Sequence, residues 1–347
     1  MEKFKSKTVF SLGVIVLITI LLVPWAQPAS TAAEIELKFG ALNPESSFMA
    51  KVCKSWMAKV EKETNGRVHF TAYWGGTLIT PTDAPMEVEK GVVDVATFSS
   101  DYPKVGFDLV KNTGTFYFGV PSPEAQARIF LELRKKFPQL DAEYSQYGKI
   151  LANDSTLAPQ LLQTRKPVRS VQDLKGLKIK TIPAYISLLK DLGAEAVMMS
   201  MFDVYLAIQK STIDGVLGPW DTFVPLKFFE VIKSITLINL TYAPQSGLLM
   251  GWKRWNSLPP DIQKVLENNM KFYSDENLRF IAEARDDALG VAKKVGTEII
   301  ELPKDEIKKI DDAVYKESLK KATELDAKGL PGTPMLNEIR RLIKEYK

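Results

Sequence analysis

The sequence predicts an α/β protein of two lobes, each a mostly parallel sheet flanked by helices, with a long helix spanning both lobes. The first observation is that residues 35–98 and residues 177–217 share the order β-α-β-α-β. The second is that each stretch ends alike, with Val-Asp-Val at 93–95 and Ile-Asp-Gly at 213–215. The third is that 347 residues suffice for two domains with their own cores. Two sequential α/β units of one order favour lobes that meet at a cleft.

Residues 1–33 have the pattern of a cleavable secretory signal peptide, which is not part of the fold. Three lysines precede a nearly continuous apolar run over residues 9–23, and small residues at 30–33 offer a cleavage site. An uncleaved membrane anchor is the alternative, but the run is short and Pro24 follows it. We therefore expect a cut after Ala33 and a periplasmic mature chain that does not insert into the membrane.

Charge and cysteine content narrow the possible partners. The formal net charge is +4, and the three lysines and one glutamate of the signal peptide account for half of it. A nearly neutral mature chain gives no basis for binding nucleic acid or an anionic membrane surface. Cys53 is the only cysteine, so an internal disulfide is impossible, and no cysteine lies at the cleavage site to carry a lipid. We expect a monomer.

The first unit alternates strands and helices. Residues 35–42 alternate in polarity and then become apolar, as a strand entering a buried sheet does. The helix that follows carries a large apolar residue at every fourth position from Phe48 to Val60. Period-two alternation resumes at Val68, and a third strand over residues 92–98 ends in two serines.

The second unit contains the residues expected to face a ligand. Its first strand is apolar around Ile179 and ends at Lys180, and its third strand ends in a Gly-Pro-Trp turn at 218–220. Asp203 is expected to cap the helix between them. Because ligands bind outside the carboxyl ends of strands in open α/β sheets, both strand ends should meet at the cleft. The alternative for Lys180 is an ordinary solvated lysine.

The remaining segments connect the lobes. Residues 121–147 are predicted to be helical and residues 151–165 extended, and residues 247–252 form a strand that returns to the first lobe. From 261 to 295 no proline interrupts a helical pattern, and about 35 residues at 1.5 Å each give a rod of about 50 Å. From residue 301 onward the pattern predicts short amphipathic helices.

These elements predict the domain boundaries. Residues 1–33 are the signal peptide, residues 34–157 with 246–285 form lobe I, and residues 158–245 with 286–347 form lobe II.

The sequence lacks the usual signatures of catalysis. His69, the single histidine, lies on the polar side of a strand, and Cys53 lies on the apolar side of a helix, so neither is placed as a base or nucleophile. No zinc-protease, P-loop or dinucleotide-binding motif occurs, and Gly-Gly at 75–76 indicates only a turn. Adjacent aspartates at 286–287 and 311–312 are typical of solvated helix faces. We expect no enzymatic activity, no cofactor and no metal site.

Aromatic residues concentrate near the predicted strand ends. For Phe98, Tyr205 and Phe223, core packing is the favoured explanation. Trp74 and Trp220 instead lie in turns rich in glycine or proline, where a large ring needs either a pocket or a ligand. Lining a binding site and packing into a core both remain open for these two tryptophans.

Several segments are distinctive in their order and spacing. They include Asp-Leu-Lys-Gly-Leu-Lys-Ile at 173–179, Ile-Asp-Gly at 213–215 and Lys-Phe-Phe-Glu-Val at 227–231, with shorter ones at 39–42, 66–68, 87–94, 99–100, 192–194, 204–205, 255 and 258–259. Together they resemble the dicarboxylate-type (DctP-like) periplasmic substrate-binding proteins of TRAP transporters, over essentially the whole mature chain. The resemblance implies a Venus-flytrap protein that captures an organic acid and delivers it to a sodium-driven membrane permease.

The resemblance also implies a set of ligand-binding residues. Lys180 stands where the family has an arginine that clamps the ligand carboxylate, Gln160 stands near a second basic position, and Gly218 and Trp74 stand where the family has asparagines. A lysine provides a point charge rather than a bidentate fork. Because these departures replace polar groups by smaller or more apolar ones, we expect a monocarboxylate with an apolar or aromatic body. The complete predicted set is Asn43, Trp74, Ser100, Gln160, Lys180, Phe202, Gly218 and Trp220.

Other classes remain open. A binding protein for an ABC importer would share the cleft and the signal peptide, but the ordered segments and the long helix favour the TRAP class. A partner of a membrane sensor would bind its ligand with the same fold, and the sequence does not separate sensing from transport. A periplasmic enzyme would need a nucleophile or a metal set that the sequence does not display.

Overall fold

The computed structural model describes residues 34–154, 158–242 and 246–346. The predicted signal peptide lies outside these residues. Within them the strands form two separate sheets. The strands are β1 (Ile35–Gly40), β2 (Val68–Tyr73), β3 (Val95–Ser99), β4 (Gly148–Asn153), β5 (Gln160–Thr164), β6 (Lys178–Lys180), β7 (Glu195–Val197), β8 (Gly215–Gly218), β9 (Ser234–Leu240), β10 (Ser246–Gly251) and β11 (Glu298–Glu301).

Helices cover both faces of each sheet. They are α1 (Phe48–Glu63), α2 (Ala84–Lys90), α3 (Asp108–Thr113), α4 (Pro123–Lys136), α5 (Gln139–Ser145), α6 (Ile186–Asp191), α7 (Val204–Gln209), α8 (Trp220–Phe223), α9 (Trp252–Ser257), α10 (Pro260–Asn268), α11 (Met270–Val295), α12 (Lys304–Ala327) and α13 (Gly332–Glu345). No helix in the described part of the chain is both long and apolar enough to cross a membrane.

The first sheet has the order β2-β1-β3-β10-β4. β1 runs parallel to β2 and β3, and β10 runs antiparallel to β3 and β4. The predicted return of residues 247–252 to this sheet is therefore confirmed, and the returning strand makes the sheet mixed rather than mostly parallel. Because β10 begins opposite the end of β3, Ser246 lies beside Ser99 at the edge where β1 and β3 end.

The second sheet has the order β11-β9-β5-β8-β6-β7. β6 runs parallel to β7 and β8, whereas β5 runs antiparallel to both β8 and β9. The amino end of β5 therefore lies at the same edge as the carboxyl ends of β6 and β8. This edge brings together Gln160, Lys180 and Gly218.

The apolar cores agree with two lobes. One core of the first sheet holds Trp56 and Leu248, and its other face packs Phe98 with apolar side chains of α4 and α13. The second sheet has its own buried clusters, around Ile179 on one face and Phe223 on the other. The two-lobed α/β class is confirmed. The exact lobe boundaries remain a proposal, and α13, from the segment assigned to lobe II, packs against α4 in the first core.

The long helix differs from its prediction at one point. The predicted run over 261–295 is broken at Asn269, whose side chain donates to the Val265 carbonyl at 2.9 Å and to Glu63 Oε2 at 2.6 Å. α11 retains 26 residues, about 39 Å at 1.5 Å per residue. It contacts α1 and β4 on one side and α8 and β11 on the other. A single helix therefore spans both sheets, as predicted.

The prediction of short helices after residue 301 is wrong. α12 has 24 residues and α13 has 14. Pro303 precedes the first residue of α12 instead of interrupting it, since a proline at a helix start loses no intrahelical hydrogen bond. Gly329, with φ of 76°, separates the two helices.

Candidate functional site

The edge of the second sheet places Lys180 on the same face as Gln163. Lys180 pairs with Val216 of β8, and Val216 pairs with Gln163 of β5. Residues paired across neighbouring strands present their side chains to one face of a sheet. Gly218, two residues beyond Val216, adds no side chain to that face. The register therefore places Lys180 and Gln163 on one face of the sheet, on either side of Val216.

Lys180 is a buried cation without a partner in the described part of the chain. Its side chain is only 5% exposed, and no hydrogen bond or ion pair joins it to a described residue. Burial lowers the pKa of its ammonium. Because removing a charge from water without a partner costs free energy, an ammonium in this position is suited to receive an anion.

Gln163 fixes the turn that follows β8. Its buried amide nitrogen donates to the carbonyls of Gly218 at 3.0 Å and Pro219 at 3.2 Å, and to Thr222 Oγ1 at 3.3 Å. Its Oε1 has no hydrogen-bond partner among the residues that the structure describes. A Cβ at Gly218 would lie 3.3 Å from the Gln163 nitrogen, so the glycine leaves this amide room. Sequence reasoning missed Gln163, although a polar residue in an apolar strand was a visible signal.

Asp221 lies just beyond this turn and was also missed. Its Oδ1 is sealed from solvent and has no hydrogen-bond partner among the described residues. Burial raises the pKa of the carboxyl group to about 6. The residue lines a cavity of about 190 Å³ together with Asn43, Gln160 and Pro219. This cavity therefore receives residues from both lobes.

The first sheet contributes an adjoining cavity of about 310 Å³. Asn43 and Met49 line both cavities, which makes them parts of one cleft. On its wall Asp154 is buried, and its Oδ1 accepts a hydrogen bond of 2.8 Å from the Tyr273 hydroxyl. Burial raises the pKa of Asp154. Tyr102, half exposed, stands at the mouth of this cavity.

The other predicted site residues are distributed differently. Ser100 is fully buried, whereas its neighbour Ser99 lines the cleft. Trp74 folds back onto Phe39, with ring centroids 6.0 Å apart, in the first core.

Trp220 and Phe202, which also belong to the predicted set, differ in exposure. Trp220 is 6% exposed and packs into the second core, where it borders two cavities beside α11. Phe202 is 68% exposed after the end of β7. Of the predicted set, Asn43 and Gln160 line the cleft, Lys180 and Gly218 end two neighbouring strands at the same edge of the second sheet, and Phe202 is exposed.

The histidine and the cysteine of this chain lie where the sequence predicted them. His69 is exposed on β2, and Cys53 is fully buried in the first core. No group of three or more histidine, cysteine or acidic side chains in the described ranges could hold a metal ion.

Asp221→Asn is expected to stabilise the protein more at pH 7 than at pH 4. The folded-state pKa of about 6 exceeds the ordinary 3.8, so between these values the native state holds a proton that the unfolded state has lost. The free energy of unfolding contributed by Asp221 is therefore fully present below pH 3.8 and falls as pH rises through 6. Each unit of pKa difference is worth about 1.4 kcal/mol. The difference in free energy of unfolding between Asp221→Asn and wild type should therefore grow by up to about 3 kcal/mol from pH 4 to pH 7.

Urea unfolding of both proteins at several pH values between 4 and 7 measures this difference. Asp287→Asn, an exposed acid in a neighbouring cavity, is the matched control and should show no such trend. The prediction would be contradicted if the free energies of unfolding of wild type and Asp221→Asn differed by the same amount at every pH in this range.

Comparisons with known proteins identify a family that matches most of the chain. The family described as bacterial extracellular solute-binding protein, family 7 (DctP), matches residues 39–324. The chain is 29% identical to the 2,3-diketo-L-gulonate-binding periplasmic protein YiaO of Escherichia coli over 274 residues, covering 78% of this chain and 82% of that one.

Solved structures agree with this match. A TRAP periplasmic solute-binding protein from Desulfovibrio salexigens superposes with a TM-score of 0.81 at 25% identity, covering 91% of this chain and 97% of that one. A TRAP solute-binding protein from Rhodoferax ferrireducens, in complex with copurified benzoate, has a TM-score of 0.78 at 24% identity, covering 90% of this chain and 98% of that one.

Proposed function

The chain belongs to family 7 of the bacterial extracellular solute-binding proteins, and from this premise we propose that it captures a monocarboxylate in the cleft between its sheets and hands it to a TRAP-type permease. Solute binding and transport are the family's role. The observation that supports a carboxylate is Lys180, a buried ammonium at a strand end without a partner among the described residues. A charge-assisted hydrogen bond to a carboxylate is stronger than a neutral one and would offset the cost of that burial.

The walls of the cleft support an apolar or aromatic ligand body. Met49, Pro219 and Ile281 line it together with the amide side chains of Asn43 and Gln160. Neither of these amides carries the second positive charge that a dicarboxylate would call for. The named ligands of the two relatives, 2,3-diketo-L-gulonate and benzoate, are both monocarboxylates, which is the chemistry that one lysine can receive.

Capture would proceed by closure of the two lobes. A ligand that contacts Lys180 on one sheet and Asn43 on the other binds the closed state better than the open one, so it shifts the population toward closure. The permease would then recognise the closed form. The bound acid leaves chemically unchanged in this scheme, so conversion of a bound acid to another product would contradict it.

A thermal-shift screen tests the proposed ligand class. Three apolar monocarboxylates (benzoate, phenylacetate and isovalerate) and two polar acids (succinate and sialic acid) are each added to purified protein. An apolar monocarboxylate at 100 times its dissociation constant should add about 2.7 kcal/mol to the free energy of unfolding. Mass spectrometry of the purified protein would identify any acid that remains bound. Stabilisation by succinate or sialic acid together with no response to the three apolar monocarboxylates would contradict the proposal.

Partner, export and oligomeric state complete the proposal. Co-purification with TRAP permease subunits, and not with ABC subunits or a sensor kinase, is the expected partner result. Protein recovered from the periplasm should begin at Glu34, which amino-terminal sequencing measures, and should behave as a monomer in sedimentation. A chain that keeps residues 1–33 would contradict the cleavable signal peptide.

A further inference from the structure

Asp221 is a carboxyl group that the cleft leaves unsatisfied. Its Oδ1 is inaccessible to solvent and accepts no hydrogen bond from a described residue. It forms no ion pair with a described residue, and the basic residue that lines the neighbouring cavity with it is Lys51, together with Glu283 and Asp287. A buried acceptor without a donor costs free energy. The fold therefore holds Oδ1 of this carboxyl group in a buried position without a donor among the described residues.

The position of Asp221 is that of a second contact point in the ligand site. It lines the cavity that also contains Asn43 and Gln160. It follows the end of β8 by three residues, and Lys180 ends the neighbouring strand β6. A molecule held in this cavity therefore lies beside the carboxyl group of Asp221.

We propose that Asp221 is a specificity residue that accepts a hydrogen bond from the body of the ligand, so that the ligand is a monocarboxylate bearing a hydroxyl or amino group. This inference rests on the proposed function, because Lys180 is taken to hold the carboxylate. A ligand with a hydrogen-bond donor would give the Asp221 carboxyl group a partner. An acid without a donor would bury the carboxyl group further and leave it unpaired. Such a site rejects the analogue that lacks the donor more strongly than a plain apolar pocket would.

Isothermal titration with matched acids tests the inference. Phenylacetate, mandelate and phenylglycine share one carbon skeleton and differ only in carrying no donor, a hydroxyl or an ammonium group beside the carboxylate. Benzoate and 3-hydroxybenzoate form a second pair, in which the hydroxyl lies farther from the carboxylate. Wild-type protein should bind at least one donor-bearing acid about 10-fold or more tighter than its parent acid.

Two variants assign that preference to Asp221. Asp221→Leu removes the acceptor and should bring the donor-bearing acid within about 2-fold of its parent, while the parent acid binds at least as tightly as to wild type. Asp221→Asn keeps an acceptor oxygen and should preserve most of the preference for a hydroxyl but lose the one for an ammonium. Asp287→Asn is the matched control and should behave as wild type.

The outcomes separate the two proposals. Equal binding within each matched set by wild type, or a preference that persists in Asp221→Leu, overturns the role of Asp221 while leaving carboxylate capture in place. Failure of every acid to bind wild type overturns the proposed function and this inference with it. Circular dichroism of each variant confirms folding, and Asp221→Asn provides a readout even where the leucine variant is unstable.

Discussion

Lys180→Ala is expected to weaken the binding of a monocarboxylate such as benzoate by about 100-fold or more. Truncating one partner of a buried charged pair costs about 2–5 kcal/mol, and each 1.4 kcal/mol is tenfold in affinity. Lys180→Arg should stay within about tenfold of wild type, because it keeps the charge and offers a bidentate fork to the carboxylate. Isothermal titration with one acid across the three proteins measures both effects.

A matched control lies on the same strand. Lys178, two residues before Lys180, is exposed on β6, so Lys178→Ala should leave affinity within about 2-fold, as expected for a solvated charge. Lys180→Met offers a second readout, because it fills the aliphatic volume without the charge. This variant should unfold at a higher temperature than wild type in the absence of ligand and lose the stabilisation by acids. Unchanged affinity in Lys180→Ala would refute the anchoring role.

Gly247→Ala is expected to destabilise the fold by about 3 kcal/mol or more, because the backbone cannot yield cheaply to an added atom. Gly247 lies on β10 where β4 passes closely, and a Cβ there would come within 2.1 Å of the Ala152 carbonyl oxygen and 2.9 Å of Asn153 Cα. Strand β10 joins β3 to β4, so its displacement loosens the sheet on both sides. The shape of the cleft should change as well, because Gly247 and Asp154 both line it.

The control for Gly247→Ala is the same substitution at a glycine where an added Cβ atom has room. Gly290 lies exposed inside α11, and a Cβ there would meet no atom within 4 Å. Gly290→Ala should therefore stabilise the protein by about 0.5–1 kcal/mol, because alanine restricts the unfolded chain more than glycine and suits a helix interior. Urea unfolding measures both variants. A Gly247→Ala protein within about 1 kcal/mol of wild type would contradict the close approach of the two strands.

Local sequence patterns predicted the elements that decide the fold class. Period-two alternation and helical spacing lie within short windows, so the two β-α-β-α-β units and the position of Lys180 at a strand end could be read directly. The resemblance to a family added the organic-acid ligand. The break before α11 could not be predicted from local patterns, because it depends on the Asn269 amide, which is hydrogen-bonded to Glu63, 206 residues away.

Two residues of the candidate site, Gln163 and Asp221, were not predicted, because their positions depend on contacts between distant parts of the sequence. Gln163 reaches Lys180's face only through the antiparallel pairing of β5 with β8. Asp221 lies beside residues of the first lobe and of α11 only through tertiary packing. Trp74 illustrates the converse, since its glycine-rich turn suggested a ligand site while the ring packs on Phe39. Register and tertiary packing, rather than residue type, separate these cases.

The burial of Cys53 makes lobe motion directly measurable. The thiol is fully buried, and burial raises its pKa, so it should resist alkylating reagents that attack thiolates. The natural sequence can therefore serve as an unmodified background for new surface cysteines. Val105, 80% exposed beside the first sheet, and Leu206, 51% exposed on α7, offer one position on each lobe. A pair of spin labels or fluorophores there would report the distance between the lobes before and after an acid is added.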